Sequence, residues 1–415
     1  AGVWTQVGAD IDGEAAGDNF GRGSRPVALS SDGTRLAVGA TYNDGGGSNS
    51  GHVRVFDLVG STWTQLGSDI DGEAAGNQFG YSVALSSDGT RLAVAGWLYN
   101  SGSGHVRVFD WSGSAWTQVG VDIESEAFQD QFGYSIALSS DGTRLAVGGI
   151  ANDGAAGTDS GHVRVFDLIG STWTQVGSDI DGEAAGNVFG SSVDLSSDGT
   201  RLAVGAYNNG GAGYQAGHVR VFDLVGSTWT QVGSDIDGAA GDRFGWSIAL
   251  SSDGTRLAVG ATSRDITGYN DGYVSVFDWD EDDETWTQVG ADIDGEAALD
   301  ESGESVALSS DGTRLAVGAR LNDGNGSNAG HVRVFEWSGS AWVQDGADLD
   351  GDAAGDFFGW SVALSSDGTR LAVGGPFNDG TGSNAGHVRV FDNPQYTKQT
   401  IKDYTFEVGT ANLYV

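Results

Sequence analysis

The residues that could do chemistry in this chain are carboxylates, histidines and serines, and each type returns at a regular spacing. The carboxylates fall in Asp-Ile-Asp-Gly-Glu segments: Asp10, Asp12 and Glu14; Asp69, Asp71 and Glu73; Asp179, Asp181 and Glu183; Asp292, Asp294 and Glu296. Looser copies hold Asp122, Glu124 and Glu126, then Asp235 and Asp237, then Asp348, Asp350 and Asp352. Alternating carboxylates followed by glycine suit a hard divalent cation, because several oxygens must converge while the backbone turns sharply. Ca2+ is the expected ion, with two adjacent segments able to share one. No bidentate glutamate follows at a fixed spacing, so a merely hydrated acidic surface is the competing reading.

The six histidines, His52, His105, His162, His218, His331 and His387, share one repeat position, and Tyr273 takes the seventh place. Six copies at one position suit packing between repeats better than a convergent site. The serines sit in Ser-Ser-Asp-Gly. Ser30-Ser31-Asp32 looks like a triad fragment, but it occurs seven times and reads as turn chemistry. Carboxylate pairs suited to glycoside cleavage exist in number, and none is singled out. With no nucleophile, base and orienter set apart from the rest, the chain is expected not to be an enzyme.

The elements that position these residues are repeats. Ser-Ser-Asp-Gly-Thr-Arg-Leu-Ala-Val recurs with its Asp at 32, 88, 141, 198, 253, 311 and 367. Seven copies at that period predict a propeller rather than a helical array. Each unit reads as four short strands, for example Phe79 to Leu85, Arg91 to Ala95, His105 to Phe109 and Trp116 to Val119, separated by Gly/Asp/Asn turns. The chain starts at Trp4 to Val7, a fourth strand without its first three, and its last unit ends at Phe391 without a fourth. The expectation is an all-β, seven-bladed propeller of four-stranded antiparallel blades, closed by the N-terminal strand joining the last blade. Residues 1–392 form that domain. Residues 393–415 carry both lysines, Lys398 and Lys402, follow no repeat, and read as a linker or the start of a further β-domain.

The pattern Phe-Gly-x-Ser-Val-Ala…Leu-Ala-Val-Gly-Ala resembles the FG-GAP repeats of integrin α-subunit propellers and bacterial surface proteins over residues 3–392. The last unit comes closest, with Phe358-Gly359 and then Gly374-Gly375-Pro376. The resemblance implies an extracellular adhesion or binding module of a larger surface protein. Integrin-type repeats carry a calcium loop, D-x-D-x-D-G, between the first two strands. Here that loop is Ser30 to Thr34, whose single carboxylate cannot supply six to eight oxygens. The metal site of the family is therefore not carried to this loop, and Asp32 reads as a turn residue.

In a four-stranded blade the 4→1 and 2→3 connections share one face of the disc. Twenty of the 57 acidic residues lie in the 4→1 connections, so that face is expected to be strongly acidic. The formal net charge of −37 repels nucleic acid and anionic lipid, and excludes DNA and RNA as partners. No apolar run is long enough to insert in a membrane, and the start of the chain fits a mature or excised fragment. Expected partners are a glycan or protein ligand on the loop face and other domains of the same polypeptide, at the cell surface. Tyr42, Trp97, Tyr99, Tyr207, Tyr214 and Tyr269 are candidate stacking platforms. The alternative is a structural subunit or tip domain of a surface appendage or filament. Positions that break the repeat are the first to test: the insertion Arg22 to Pro26, Asp194, the hairpin Asp280 to Glu284 with Tyr273 and Ser275, and Glu301-Ser302-Gly303.

Overall fold

The chain's alternation of short apolar strands with Gly/Asp turns builds seven antiparallel sheets in a ring. The computed structural model describes residues 2–264 and 269–393. The tail, read above as a linker or further β-domain, lies outside the described residues from 394 onward. Blade 2 shows the plan. Phe79–Leu85 is innermost, followed outward by Arg91–Gly96, His105–Trp111 and Trp116–Gln118. One addition was not expected. The middle of each acidic connection is itself a short strand on the third strand of the blade just completed, as Ile70–Asp71 is on His52 and Val53. The alternation explains it: Ile70 turns into the core and the flanking carboxylates turn out.

The first strand closes the ring, as the permuted phase predicts. Thr5–Gln6 pairs antiparallel with Asp392 and Phe391, making the outer strand of blade 7, whose other strands are Ser361–Leu364, Arg370–Gly375 and His387–Asp392. Trp4 packs in the core between blades 6 and 7 with Val334, Phe358 and Phe391. Its Nε1 donates to the Asp345 carbonyl at 3.1 Å. The repeated tryptophans do the same elsewhere: Trp63 donates to the carbonyl of Val7, Trp116 to Leu66 and Trp173 to Val119. Each therefore ties a blade to the one before it.

Seven apolar cores lie between neighbouring blades. One holds Ala37, Val53 and Ile70 of one blade's side with Phe79, Leu92 and Phe109 of the next. The Phe of each Phe-Gly meets its own blade's third-strand Phe edge-on, with Phe79 and Phe109 centroids 6.5 Å apart. The glycine after it has a packing reason. Gly80 has φ +91, and a Cβ there would stand 2.6 Å from the His52 carbonyl.

Ser-Ser-Asp-Gly proves to be turn chemistry with a second task. In the first copy, Asp32 Oδ1 accepts from Ser30 Oγ at 2.7 Å, Thr34 N at 2.9 Å and Thr34 Oγ1 at 2.8 Å. The second serine links blades. Ser31 N donates to Ser87 O, Ser87 N to Ser140 O, and so through Ser197, Ser252, Ser310 and Ser366, whose N–H returns to Ser31 O. The result is a closed circle of backbone hydrogen bonds around the axis. The arginine after the turn adds an outer link. Arg35 holds Asp57 bidentately at 2.6 and 2.8 Å and donates to Gly89 O of the next blade at 3.0 Å.

Candidate functional site

Two places gather side chains with chemical potential: the clefts between blades on the acidic face, and the axis.

In the clefts, the three carboxylates of one connection do not converge. Asp69 faces His52 Nδ1 of the blade just left at 3.8 Å and accepts from Gln65 Nε2 at 2.6 Å. Glu73 reaches forward to Arg107 of the next blade at 3.5 Å. Asp71 lies between, and its main-chain carbonyl accepts from the same Arg107 at 3.5 Å. The other connections repeat this. Asp10 meets His387 at 3.5 Å, Glu14 meets Arg54 at 3.6 Å, and the Arg54 guanidinium also donates to the Asp12 carbonyl. Asp179 meets His162 at 3.7 Å, Glu183 meets Arg220 at 3.9 Å, and Arg220 donates to the Asp181 carbonyl at 3.2 Å. In the fifth blade Asp292 takes Ser275 and Gln288, each at 2.6 Å, and pairs with Arg264, while Glu296 meets Arg333 at 3.6 Å and Asp294 gives its carbonyl to Arg333 at 2.6 Å. Arg264 thus stands in for the third-strand arginine that Ser275 replaces.

What does come together is a glutamate, a histidine and an aspartate from two successive connections, as in Glu14, His52 and Asp69. An arginine sits against each such group, stacked on phenylalanine below; Arg107 lies 5.5 Å from the Phe79 ring and 5.1 Å from Phe109. Calcium prefers six to eight oxygens. Here the outer two carboxylates of a connection turn to different neighbours, so Asp10, Asp12 and Glu14 do not meet at one point, and an ion in a cleft would meet the glutamate of one connection with the histidine and aspartate beside it. The imidazoles are buried between phenylalanine and backbone, and burial pushes His105, His218 and His331 down to about 4. Those three are neutral packing groups at pH 7. Burial and the Asp10 charge raise Asp12, while the His387 hydrogen bond first, then Gln6, holds Asp10 at about 2.

The axis is different, because there the blades are unequal. The residue after each Phe-Gly, or after Ser302-Gly303 in blade 6, is in turn Arg22, Tyr81, Tyr134, Ser191, Trp246, Glu304 and Trp360. A cavity of about 500 Å3 lies along the axis and is lined by six of these seven, with Arg25, Asp194, Tyr207 and Arg320. Two repeat-breaking features meet inside it. Arg25, from the insertion in blade 1, crosses to blade 4, where its Nη1 donates to the Val193 carbonyl at 2.9 Å and lies 3.4 Å from Asp194 Oδ1. Asp194 Oδ2 also accepts from Leu250 N at 2.8 Å. Arg320 pairs with Glu301 at 2.6 Å and lies 3.4 Å from Glu304, above Trp360 at 4.4 Å. Glu304 is buried, and burial pushes it up to about 7 against the pull of Arg320.

Of the candidate stacking residues, four are already packed. Trp97 rests on Tyr81 at 4.8 Å, Tyr99 stacks on His105 at 4.0 Å, Tyr207 packs on Trp246 at 4.7 Å, and Tyr42 lies under Arg22 at 4.9 Å. Tyr214 and Tyr269 are exposed at 79% and 67%. Sequence reasoning marked Arg25, Asp194 and Glu301 but missed Tyr81, Tyr134, Trp246, Glu304, Arg320 and Trp360. Their signal was present: one inward strand position that varies while its neighbours repeat.

Comparison with known proteins places these features in context. Residues 229–277, 291–335 and 348–391 match the FG-GAP repeat. Among curated proteins, none matches the chain. One solved structure of similar architecture, described as a "putative 6-phosphogluconolactonase" from Bacteroides uniformis ATCC 8492, aligns with TM-score 0.55 and 14% identity, covering 82% of this chain and 88% of that one. That likeness shows the fold alone and assigns no reaction here. It does correct the expectation that the chain is not an enzyme. That expectation rested on a ring of near-equal blades lacking a distinct site, yet a propeller with an enzyme's description has this architecture, and the axis of this chain gathers unlike, convergent groups.

Proposed function

We propose that this FG-GAP-type seven-bladed propeller is a binding module of a larger extracellular surface protein, and that it holds a glycan on the face where the 4→1 and 2→3 connections gather. The supporting observation is where most of the exposed apolar side chains that break the repeat lie; Val3 and Val343, at outer strands, lie elsewhere. Val121, Phe128, Tyr214, Tyr269 and Leu299 are all more than half exposed, and all sit in connections of that face between blades 2 and 6. Repeat-equivalent positions elsewhere carry small or polar residues, as Ser48, Ser68, Ala75 and Gly76 do. Exposed aromatic groups on one arc, rimmed by acid and amide, suit the C–H faces and hydroxyls of sugars. Acidic charge on the same face disfavours sulfated or sialylated chains.

A glycan array probed with the purified protein tests this. Reproducible binding to neutral glycans, lost in a Tyr214→Ala/Tyr269→Ala double variant of unchanged melting temperature, supports the reading. No glycan binding, together with self-association into ordered oligomers, overturns it in favour of a structural subunit.

A further inference from the structure

We propose that the axial cavity takes one neutral hexopyranose, free or as the terminal sugar of a glycan, held between the Glu304–Arg320 pair and the Arg25–Asp194 pair. The proposal deepens the glycan reading and rests on it for the class of ligand.

Three observations carry it. First, the volume of about 500 Å3 falls within the range of small-ligand sites. Second, both arginines inside already have carboxylate partners. Arg25 faces Asp194 at 3.4 Å, and Arg320 is shared by Glu301 at 2.6 Å and Glu304 at 3.4 Å. An anionic ligand would find no free cation and would have to displace a carboxylate in a low-dielectric site, which is costly. An uncharged ligand leaves both pairs intact. Third, hydrogen-bonding capacity remains over. Glu304 Oε2 is buried, and its contact with Arg320 Nε at 3.4 Å is an ion pair without a hydrogen bond, and aromatic rings of Trp246 and Trp360 line the same space. A buried acceptor beside flat apolar walls calls for a ligand with hydroxyls around its edge and C–H groups on its faces.

The spacing agrees. Asp194 lies three residues along the inner strand from Ser191, which occupies in blade 4 the place Glu304 has in blade 6. At 3.3 Å per residue the two charged levels stand roughly 10 Å apart, room for one sugar ring with its hydroxyls. Of the seven residues at this inner-strand position, Ser191 alone is small, and it lies buried against the cavity.

The test is calorimetric titration of the whole chain with glucose, galactose, mannose and N-acetylglucosamine in turn. One-to-one binding of at least one is expected. Ser191→Trp puts into blade 4 the residue that blades 5 and 7 already carry at this position and fills the cavity from that side, and binding should be abolished. Glu304→Gln provides a second arm, with affinity expected to fall about tenfold as a hydrogen bond to a buried carboxyl is altered. Melting curves of both variants check the fold. The proposal is overturned if none of the four sugars binds the wild type, or if either folded variant binds as the wild type does. Hexose binding without any array binding rejects the surface reading and leaves the axial site standing. Array binding without hexose binding does the reverse.

Discussion

Removing the indole of Trp4 asks whether the ring is held shut by its first strand. Trp4 is 9% exposed, lies in the core between blades 6 and 7, and donates to the Asp345 carbonyl at 3.1 Å. Trp→Ala at a packed site costs about 3–5 kcal/mol, from lost transfer energy and the cavity left behind. The strand behind it pairs at only two positions, Thr5 with Asp392 and Gln6 with Phe391, so its anchoring depends heavily on that side chain. Trp116→Ala is the internal control, because Trp116 makes the same bond to Leu66 O at 3.2 Å within the continuous part of the chain. Urea titrations of wild type, Trp4→Ala and Trp116→Ala are expected to show losses of similar size, each of several kcal/mol. In an array open at its ends, Trp4 would belong to a fraying terminus whose opening costs almost nothing. A Trp4→Ala loss below about 0.5 kcal/mol, with Trp116→Ala costing several, would refute closure.

Acid is expected to weaken the fold before the ordinary carboxylate range is reached. His105, His218 and His331 are held down to about 4 from an ordinary value near 6.5. Above pH 6.5 they are neutral in both states and contribute no pH dependence. As pH falls from 6.5 toward 4 the unfolded chain takes up protons that the folded chain refuses, so stability declines across that window. Urea midpoints at pH 7 and pH 5 measure this, and His105→Asn should flatten the slope; identical midpoints would contradict the buried, neutral histidines. Calcium at 1 mM or excess chelator is expected to shift the melting temperature by less than ~1 °C, because the outer carboxylates of the connections already pair with arginine, glutamine and histidine; a rise of several degrees would show that the connections hold the ion. Arg25→Ala, Asp194→Ala and the double variant should show coupling of about 1–2 kcal/mol in a double-mutant cycle, and additive losses would mean that the two repeat-breaking sites do not communicate.

The fold was legible because its determinants are local and repeated. Asp-Gly turns, β-branched runs and the phase of Trp4 state the blade count and the closure without any knowledge of contacts. The short strand at Ile70–Asp71 was hidden, since two residues carry no periodicity and the acid around them reads as loop. The destination of the acid was hidden for a related reason. Asp69, Asp71 and Glu73 are neighbours in sequence, but alternation and the step to the next blade send Asp69 to His52 and Glu73 to Arg107. The axial site was half legible. Arg25 and Asp194 stand out as departures from a repeat, but their meeting across the ring depends on blade 1 and blade 4 facing one another, a relation no spacing along the chain expresses.

The central claim is that recognition lies where the blades differ and not in the acid they share. The neutral-glycan array, run on wild type and on the Tyr214→Ala/Tyr269→Ala variant, measures it most directly. The account predicts neutral-glycan binding by the wild type, unchanged by chelator, and its loss in the variant at equal melting temperature. Binding that disappears with chelator and is untouched by the two substitutions would contradict it and return the function to the repeated carboxylates.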